Sequence, residues 1–269
     1  MKNIKKKINV RTFQQMKSEG KKITALTAYD APTAKFAEEC GIDLILVGDS
    51  LGMAVLGYKN TIPVTIEESL HHCSAVVRGT ENAFVVGDMP FMTYHPSTTI
   101  ALQNGARYLQ QAGVDAVKIE GGKSVVPLVE TMVSAGIPVL GHIGLLPQNV
   151  LTSGGYRIAG KNDEEANRLL EDAKSLEKAG AFAIVLEGIP SNVSKKISES
   201  IQIPTIGIGA GPFCDGQIQV VNDILGLFTS FIPKHAKRYA NLDCEIRKAF
   251  TDYNNEVKSG QFPTEKESF

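Results

Sequence analysis

LILVGDS, residues 44–50, runs four apolar residues into a glycine, an acid and a serine. A run this short and apolar, closed by turn residues, reads as a strand buried on both faces, the kind found in parallel sheets. The same pattern recurs in ITALTAYD (ending at Asp30), FVVGDMP (Asp88), AVKIEGG (Glu120), VLGHIG (His142) and AIVLEG (Glu187). Each run carries an acid or a histidine at its C-terminal end. The segments between them are long enough for helices. The expected fold class is therefore α/β, a single (β/α)8 TIM barrel with extra N- and C-terminal helices. Strand C-termini converge on one rim of such a barrel, where barrel enzymes place their chemistry. Polar residues gathered there point to a metal-dependent enzyme.

Size and composition agree with that reading. The chain has 269 residues, close to the roughly 250 typical of one barrel, and one domain over 1–269 is expected, with a lead-in over 1–22 and helices and a tail over 234–269. Hydrophobic residues make up 43% and charged residues 21%, enough for a sizeable core under an ordinary soluble surface. A net charge of −1 gives no electrostatic reason to expect nucleic acid or an anionic membrane as partner. The cluster Lys5, Lys6, Lys7 is too short to change this and reads as a solvated terminus. Cys40, Cys73, Cys214 and Cys244 are scattered without CxxC spacing, which argues against a thiolate metal site and against a disulfide framework. The N-terminal lysines precede no apolar stretch of the kind a secretory signal needs, and no run of 18 apolar residues occurs. A cytoplasmic location is the expectation.

Along the chain, the pattern predicts a short helix around 11–18, strands at 23–28, 44–48, 84–87, 116–120, 139–142, 183–187 and 205–209, and a weaker eighth strand at 219–223. Helices are expected at 31–40, from Thr65 to about 78, at 97–112, at 125–135 and from Asn162 to about 179. Thr65 with Glu68, and Asn162 with Glu165, have the spacing of helix N-terminal caps. Two glycine-bearing loops, 50–63 and 145–161, are longer than connection requires, and long loops on a rigid scaffold often carry function.

Residues i and i+2 of a strand share a face. Val47 and Asp49, Val86 and Asp88, Lys118 and Glu120, and Val185 and Glu187 are therefore expected to point alike. If the acids face the lumen, Lys118 does too, either to meet a substrate carboxylate or to pair with one of the acids. Three carboxylates from neighbouring strands, Asp49, Asp88 and Glu120, would repel one another without a cation. Their hard oxygens suit Mg²⁺, which binds one or two carboxylates directly and keeps several waters. Glu187, further round, fits general acid/base work, with a metal-shell or structural role as the alternative. His142 can be ligand, proton shuttle or donor to a substrate, and its glycine-rich surroundings favour donor. His71 and His72 sit on a predicted helix and read as surface or packing. The GxGxG of Gly207, Gly209 and Gly211 lacks the spacing and position of a dinucleotide site and reads as a tight turn approached closely by a ligand.

The segments TAYD (27–30), VGDSLGM (47–53), GDMPF (87–91), VKIEGG (117–122), GHIGLLPQ (141–148), GGY (154–156), LEGIP (186–190) and IGIGAG (206–211) resemble, in order, the ketopantoate hydroxymethyltransferase family of the phosphoenolpyruvate-mutase/isocitrate-lyase barrels. The resemblance covers roughly residues 20–260. It implies transfer of a hydroxymethyl group from 5,10-methylenetetrahydrofolate to 3-methyl-2-oxobutanoate, giving 2-dehydropantoate through a Mg²⁺-stabilised enolate, the first committed step of pantothenate and coenzyme A synthesis. It also implies Asp49, Asp88 and Glu120 at the metal, Asp49, Ser50, Asp88 and Lys118 at the keto acid, Glu187 as proton acceptor, and a homodecamer. His142 is added to the substrate-binding set on its position. The partners expected are a small keto acid and a folate. A C–C lyase or mutase of the same superfamily is the nearest alternative, though none of the cysteines sits in the loop context those lyases use. A non-catalytic keto-acid-binding barrel is the second.

Overall fold

The computed structural model describes residues 7–228 and 233–269, so Lys5 and Lys6 of the basic cluster lie outside the described residues. The chain divides into two compact units, Met1–Val220 and Val221–Phe269. The first holds α1 (Val10–Ser18), β1 (Ile23–Thr27), α2 (Ala31–Glu39), β2 (Leu44–Val47), α3 (Leu51–Ala54), α4 (Ile66–Arg78), β3 (Phe84–Asp88), α5 (Thr98–Arg107), β4 (Ala116–Glu120), α6 (Val126–Ser134), β5 (Val139–Gly144), α7 (Asp163–Lys178), β6 (Ala183–Glu187), α8 (Ser191–Ser200), β7 (Thr205–Ile208) and β8 (Gly216–Gln219). The strands close in sequence order into a barrel, every neighbouring pair parallel, with β8 returning to β1. The (β/α)8 expectation is met. The second unit carries α9 (Val221–Leu225) and α10 (Leu242–Ser259).

One face of each strand fills the lumen. Ile23, Ala25, Leu44, Leu46, Phe84, Val86, Ala116, Leu140, Ala183, Val185, Ile206, Ile208 and Ile218 form a single buried cluster, with Phe13 of α1 and Phe182 among them. The strand register then steps the polar ends upward: Asp88 lies level with Lys118, Glu120 with His142, and Gly144 with Glu187. The shared-face rule holds for β3, β4 and β6. It fails for β2, where Leu44 and Leu46 are the lumen residues and Val47 lies on the opposite face. The strand stops at Val47, and the turn after it brings Asp49 back to the site.

Helix starts follow their caps. Thr65 Oγ1 accepts from Glu68 N (3.2 Å) while Glu68 Oε2 accepts from Thr65 N (2.7 Å), and Asn162 Oδ1 accepts from Glu165 N (2.9 Å). Lys7 is not simply solvated; its ammonium pairs with Asp115 at 2.8 Å. Loop 50–63 opens with α3 rather than running irregular throughout. The helix expected over 97–112 changes to a π turn at Tyr108–Ala112, where Tyr108 is fully buried. The eighth strand lies earlier than expected, at Gly216–Gln219, and 221–225 is helical. Closure selects this segment because β1 and β7 crowd it: a Cβ on Gly216 would stand 2.5 Å from the Ile23 carbonyl oxygen and 2.8 Å from Ile206 Cδ1.

Candidate active site

Asp49, Asp88, Lys118, Glu120 and His142 are all buried at the C-terminal ends of β2 to β5, each under 5% exposed. Glu187, at the end of β6, keeps 21% of its side chain open. Lys118 Nζ donates to both Asp88 oxygens, at 2.7 and 2.9 Å, and to Glu120 Oε1 at 3.4 Å. The ion-pair reading of Lys118 is thus the geometry found. Asp88 Oδ2 also accepts from the Asp49 backbone N–H at 3.1 Å, which ties the ends of β2 and β3 together. Among the described residues, no group of three or more His, Cys, Asp or Glu is arranged to hold a metal ion.

His142 lies between two carboxylates, Nδ1 3.3 Å from Glu120 Oε1 and Nε2 3.3 Å from Glu187 Oε2. Neither contact has hydrogen-bond geometry, so the attraction is one of charge. Burial and the Lys118 charge push the imidazole down, yet Glu120 and Glu187 outweigh them and hold it up at about 9. Burial also works against ionised Glu120, but Lys118 and then His142 bring it down to about 2. Lys118 is likewise held above its ordinary value, the carboxylates of Asp88, Glu120 and Asp49 overcoming burial. Asp49 behaves oppositely. Burial, then the negative charges of Asp88 and Glu120, push it well above the usual carboxylate range, and Lys118 and Gln148 do not offset them. Four carboxyl groups share this rim with two cationic groups; burial raises Asp88 too, despite Lys118, and Asp49 is pushed up furthest.

Ser50 Oγ and the Tyr29 hydroxyl are 2.8 Å apart, so Tyr29 sets the orientation of the serine. Asp30 ends the first polar-tipped strand but does not join the cluster; it caps α2, accepting from Thr33 N at 2.8 Å. His72 is a helix residue that contacts the Tyr29 carbonyl through Nδ1 at 2.6 Å. In the GxGxG turn, the close approach comes from the protein itself, since a Cβ on Gly211 would meet Ser191 Cβ at 2.4 Å.

Two site residues escape a reading based on strand ends. Gln148, in the β5–α7 loop, is 3% exposed and contacts Asp49, Met89, Tyr94 and Glu120. Tyr156, in the same loop, donates to Met53 Sδ of the β2–α4 connection at 3.6 Å, so the two long loops meet. Burial and then Asp49, Glu187 and Glu120 raise the Tyr156 phenol, which places it within the field of the acid cluster. The available signals were the length of this loop and the motifs GHIGLLPQ and GGY. A cavity of about 390 Å³ opens beside the cluster, lined by Tyr94, His95, Ser97, Ser124, Leu146 and Asn149 among others. It shares Glu120 and Gln148 with the acid site and none of Asp49, Asp88, Lys118, His142 or Glu187.

Comparison with known proteins identifies the family and the fold. The chain is 55% identical to a 3-methyl-2-oxobutanoate hydroxymethyltransferase of Carboxydothermus hydrogenoformans over 98% of this chain and 95% of the relative. It is 56% identical to the enzyme of that name from Dehalococcoides mccartyi, over 96% and 92% of the two chains. Among solved structures, a phosphonopyruvate hydrolase in complex with oxalate and Mg²⁺ superposes with a TM-score of 0.62 at 13% identity, covering 97% of this chain and 93% of that one. A 2,3-dimethylmalate lyase of the PEP mutase/isocitrate lyase superfamily gives 0.60 at 16% identity, covering 97% and 91%. At such identities these two structures speak for the fold alone. Among the described residues, no helix is long and apolar enough to cross a membrane. Residues 7–265 match the family described as ketopantoate hydroxymethyltransferase, and with relatives this similar over nearly the whole length, the chain belongs to that family.

Proposed function

We propose that this protein transfers a hydroxymethyl group from 5,10-methylenetetrahydrofolate to 3-methyl-2-oxobutanoate, giving 2-dehydropantoate for pantothenate synthesis, and that it does so as a homo-oligomer, the decamer the family resemblance implies. The observation that carries the reading is the gathering of Asp49, Asp88, Lys118, Glu120, His142 and Glu187 on one barrel rim, in a chain of this family.

The donor set fits a divalent cation. It offers hard carboxylate oxygens from two adjoining strand ends, and the burial and neighbouring acids that disfavour ionised Asp49 are what a bound cation would offset. Asp49, Asp88 and Glu120 are the residues that would hold Mg²⁺, which would supply a Lewis acid to make the C3 proton of the keto acid more acidic. Ser50, oriented by Tyr29, donates to the keto-acid carboxylate. Lys118 offsets the negative charge there, and its 3.4 Å contact to Glu120 is the weakest of its three and the one a bound carboxylate displaces.

Glu187 is the base. It stands at the rim, partly open, while the other carboxylates are sealed. It takes the C3 proton; C3 forms its new bond to the methylene carbon as one of the two C–N bonds to folate breaks. Water adds its oxygen to that carbon as the second breaks, and the two folate nitrogens take up the protons released from C3 and from water. His142, against Glu187 Oε2, holds the carboxylate in place and donates to the substrate. The test is product identification after incubation with 3-methyl-2-oxobutanoate, methylenetetrahydrofolate and Mg²⁺, with folate omitted in parallel. 2-Dehydropantoate formed only with folate present supports the reading. Cleavage of a keto acid without folate points to a lyase, and no turnover points to a binding barrel.

A further inference from the structure

Gln148 takes no part in the chemistry proposed above, yet it is buried and bonded on every side within the rim. Its side-chain Nε2 donates to Asp49 Oδ2 at 3.1 Å and to the Met89 carbonyl at 2.9 Å. Its Oε1 accepts from the Tyr94 hydroxyl at 2.9 Å, and its backbone N–H donates to Glu120 Oε2 at 3.1 Å. One residue of the β5–α7 loop thereby spans the ends of β2, β3 and β4.

The orientation of the amide follows from its neighbours. A primary amide has two N–H donors and an acceptor oxygen. The Nε2 group faces the Met89 backbone carbonyl, which can only accept, as well as Asp49 Oδ2. Turning the amide over would set its oxygen against the Met89 carbonyl oxygen, so the network assigns the orientation. Tyr94 locks it from the other side, because the same hydroxyl is 3.2 Å from both the backbone N and the carbonyl O of Glu120. Gln148 thus fixes one oxygen of Asp49 through its side chain and one oxygen of Glu120 through its backbone. Lys118 fixes Asp88 and the other Glu120 oxygen.

We propose that Gln148 is a positioning residue that orients the Asp49 and Glu120 carboxylates toward a divalent cation, with Tyr94 as its anchor. This rests on the metal reading given under the proposed function. Residues that orient ligand carboxylates from outside typically contribute about 10- to 100-fold in metal affinity or activity.

The experiment measures Mn²⁺ affinity of the full-length protein by electron paramagnetic resonance or calorimetry, well below the unfolding temperature, for wild type, Gln148→Met and Tyr94→Phe. Methionine matches glutamine in shape and lacks the amide, and it leaves the backbone contact to Glu120. Wild type must bind Mn²⁺; if it does not, the metal reading itself fails, which is a separate outcome. Gln148→Met is expected to raise the Mn²⁺ dissociation constant about 10- to 100-fold, with Tyr94→Phe raising it less, because the amide stays but can turn. Thermal unfolding without metal distinguishes a mere brace, which would lower the melting temperature and leave Mn²⁺ affinity of the folded protein as in wild type. That result overturns the proposal. Should Gln148→Met fail to fold, Tyr94→Phe decides, and wild-type Mn²⁺ affinity in that variant also overturns it.

Discussion

Glu187 and His142 form a pair whose two members are open to separate tests. Glu187→Gln keeps the shape and removes the base, so isotope exchange at C3 of 3-methyl-2-oxobutanoate is expected to collapse while Mg²⁺ affinity stays near wild type. Exchange at the wild-type rate would remove Glu187 from its role. His142 is read through stability. Its folded-state value is raised to about 9 from an ordinary 6.5 by Glu120 and Glu187 against burial and Lys118. A raised histidine stabilises the folded state fully below its unfolded value, and that contribution disappears as pH rises through the folded one. The gap in melting temperature between wild type and His142→Gln should therefore be widest below pH 6.5 and close by about pH 9, with at most about 3 kcal/mol involved. A gap constant over that range would mean the imidazole stays neutral. The site acids, Lys118 and His142 could be read from the sequence because each ends or interrupts an apolar strand, a pattern packing alone does not produce. Gln148 could not, because an isolated glutamine in a loop resembles any solvated residue until the fold buries it among Asp49, Met89, Tyr94 and Glu120.

At the level of elements, seven strands and the capped helices were visible because local chemistry decides them. The β-branched runs, and the pairs Thr65/Glu68 and Asn162/Glu165, needed no information from distant residues. β8 was misplaced because Gly216–Gln219 carries a glycine and two glutamines, and its identity as a strand comes from closing against Ile23 and Ile206. The contact between β3 and the π turn after α5 is similarly non-local. Gly87 lacks a Cβ where Tyr108 Cδ1 would be 2.4 Å away and Cys73 Sγ 3.0 Å away. The admitted tyrosine donates its hydroxyl to the carbonyl of Asp88 at 2.7 Å, and Ser69 Oγ lies 2.7 Å from the phenol oxygen. Gly87→Ala should push the ring aside, costing about 1–3 kcal/mol as overpacking does. The denaturation midpoint is expected to fall with an unchanged m-value, and keto-acid affinity to weaken because Asp88 loses its backing. A variant with wild-type stability would show that Tyr108 can shift freely.

Across the barrel unit as a whole, the floor and the rim have different tasks. At the floor, α1 sends Phe13 into the lumen, edge-on to Phe84 at 5.2 Å and stacked on Phe182 at 6.0 Å. Lys17 fastens the same helix by donating to the Ser198 and Ile203 carbonyls, each at 3.0 Å, and to Asp215 at 2.9 Å. Above this plug the lumen is apolar up to the layer of Asp88 and Lys118, where buried charge begins. Aromatic packing and an ion pair thus anchor the floor, where no chemistry occurs, and the buried charge lies at the rim. Removing the plug separates the two. Phe13→Ala opens a cavity among three aromatic rings and is expected to cost about 3–5 kcal/mol, read as a lowered midpoint in urea. Turnover per folded molecule, measured where the variant is still fully folded, should remain at the wild-type value, because the residues of the rim keep their partners. A drop in turnover matching the loss of stability would mean that the floor sets the geometry of the rim, and the division between them would have to be abandoned.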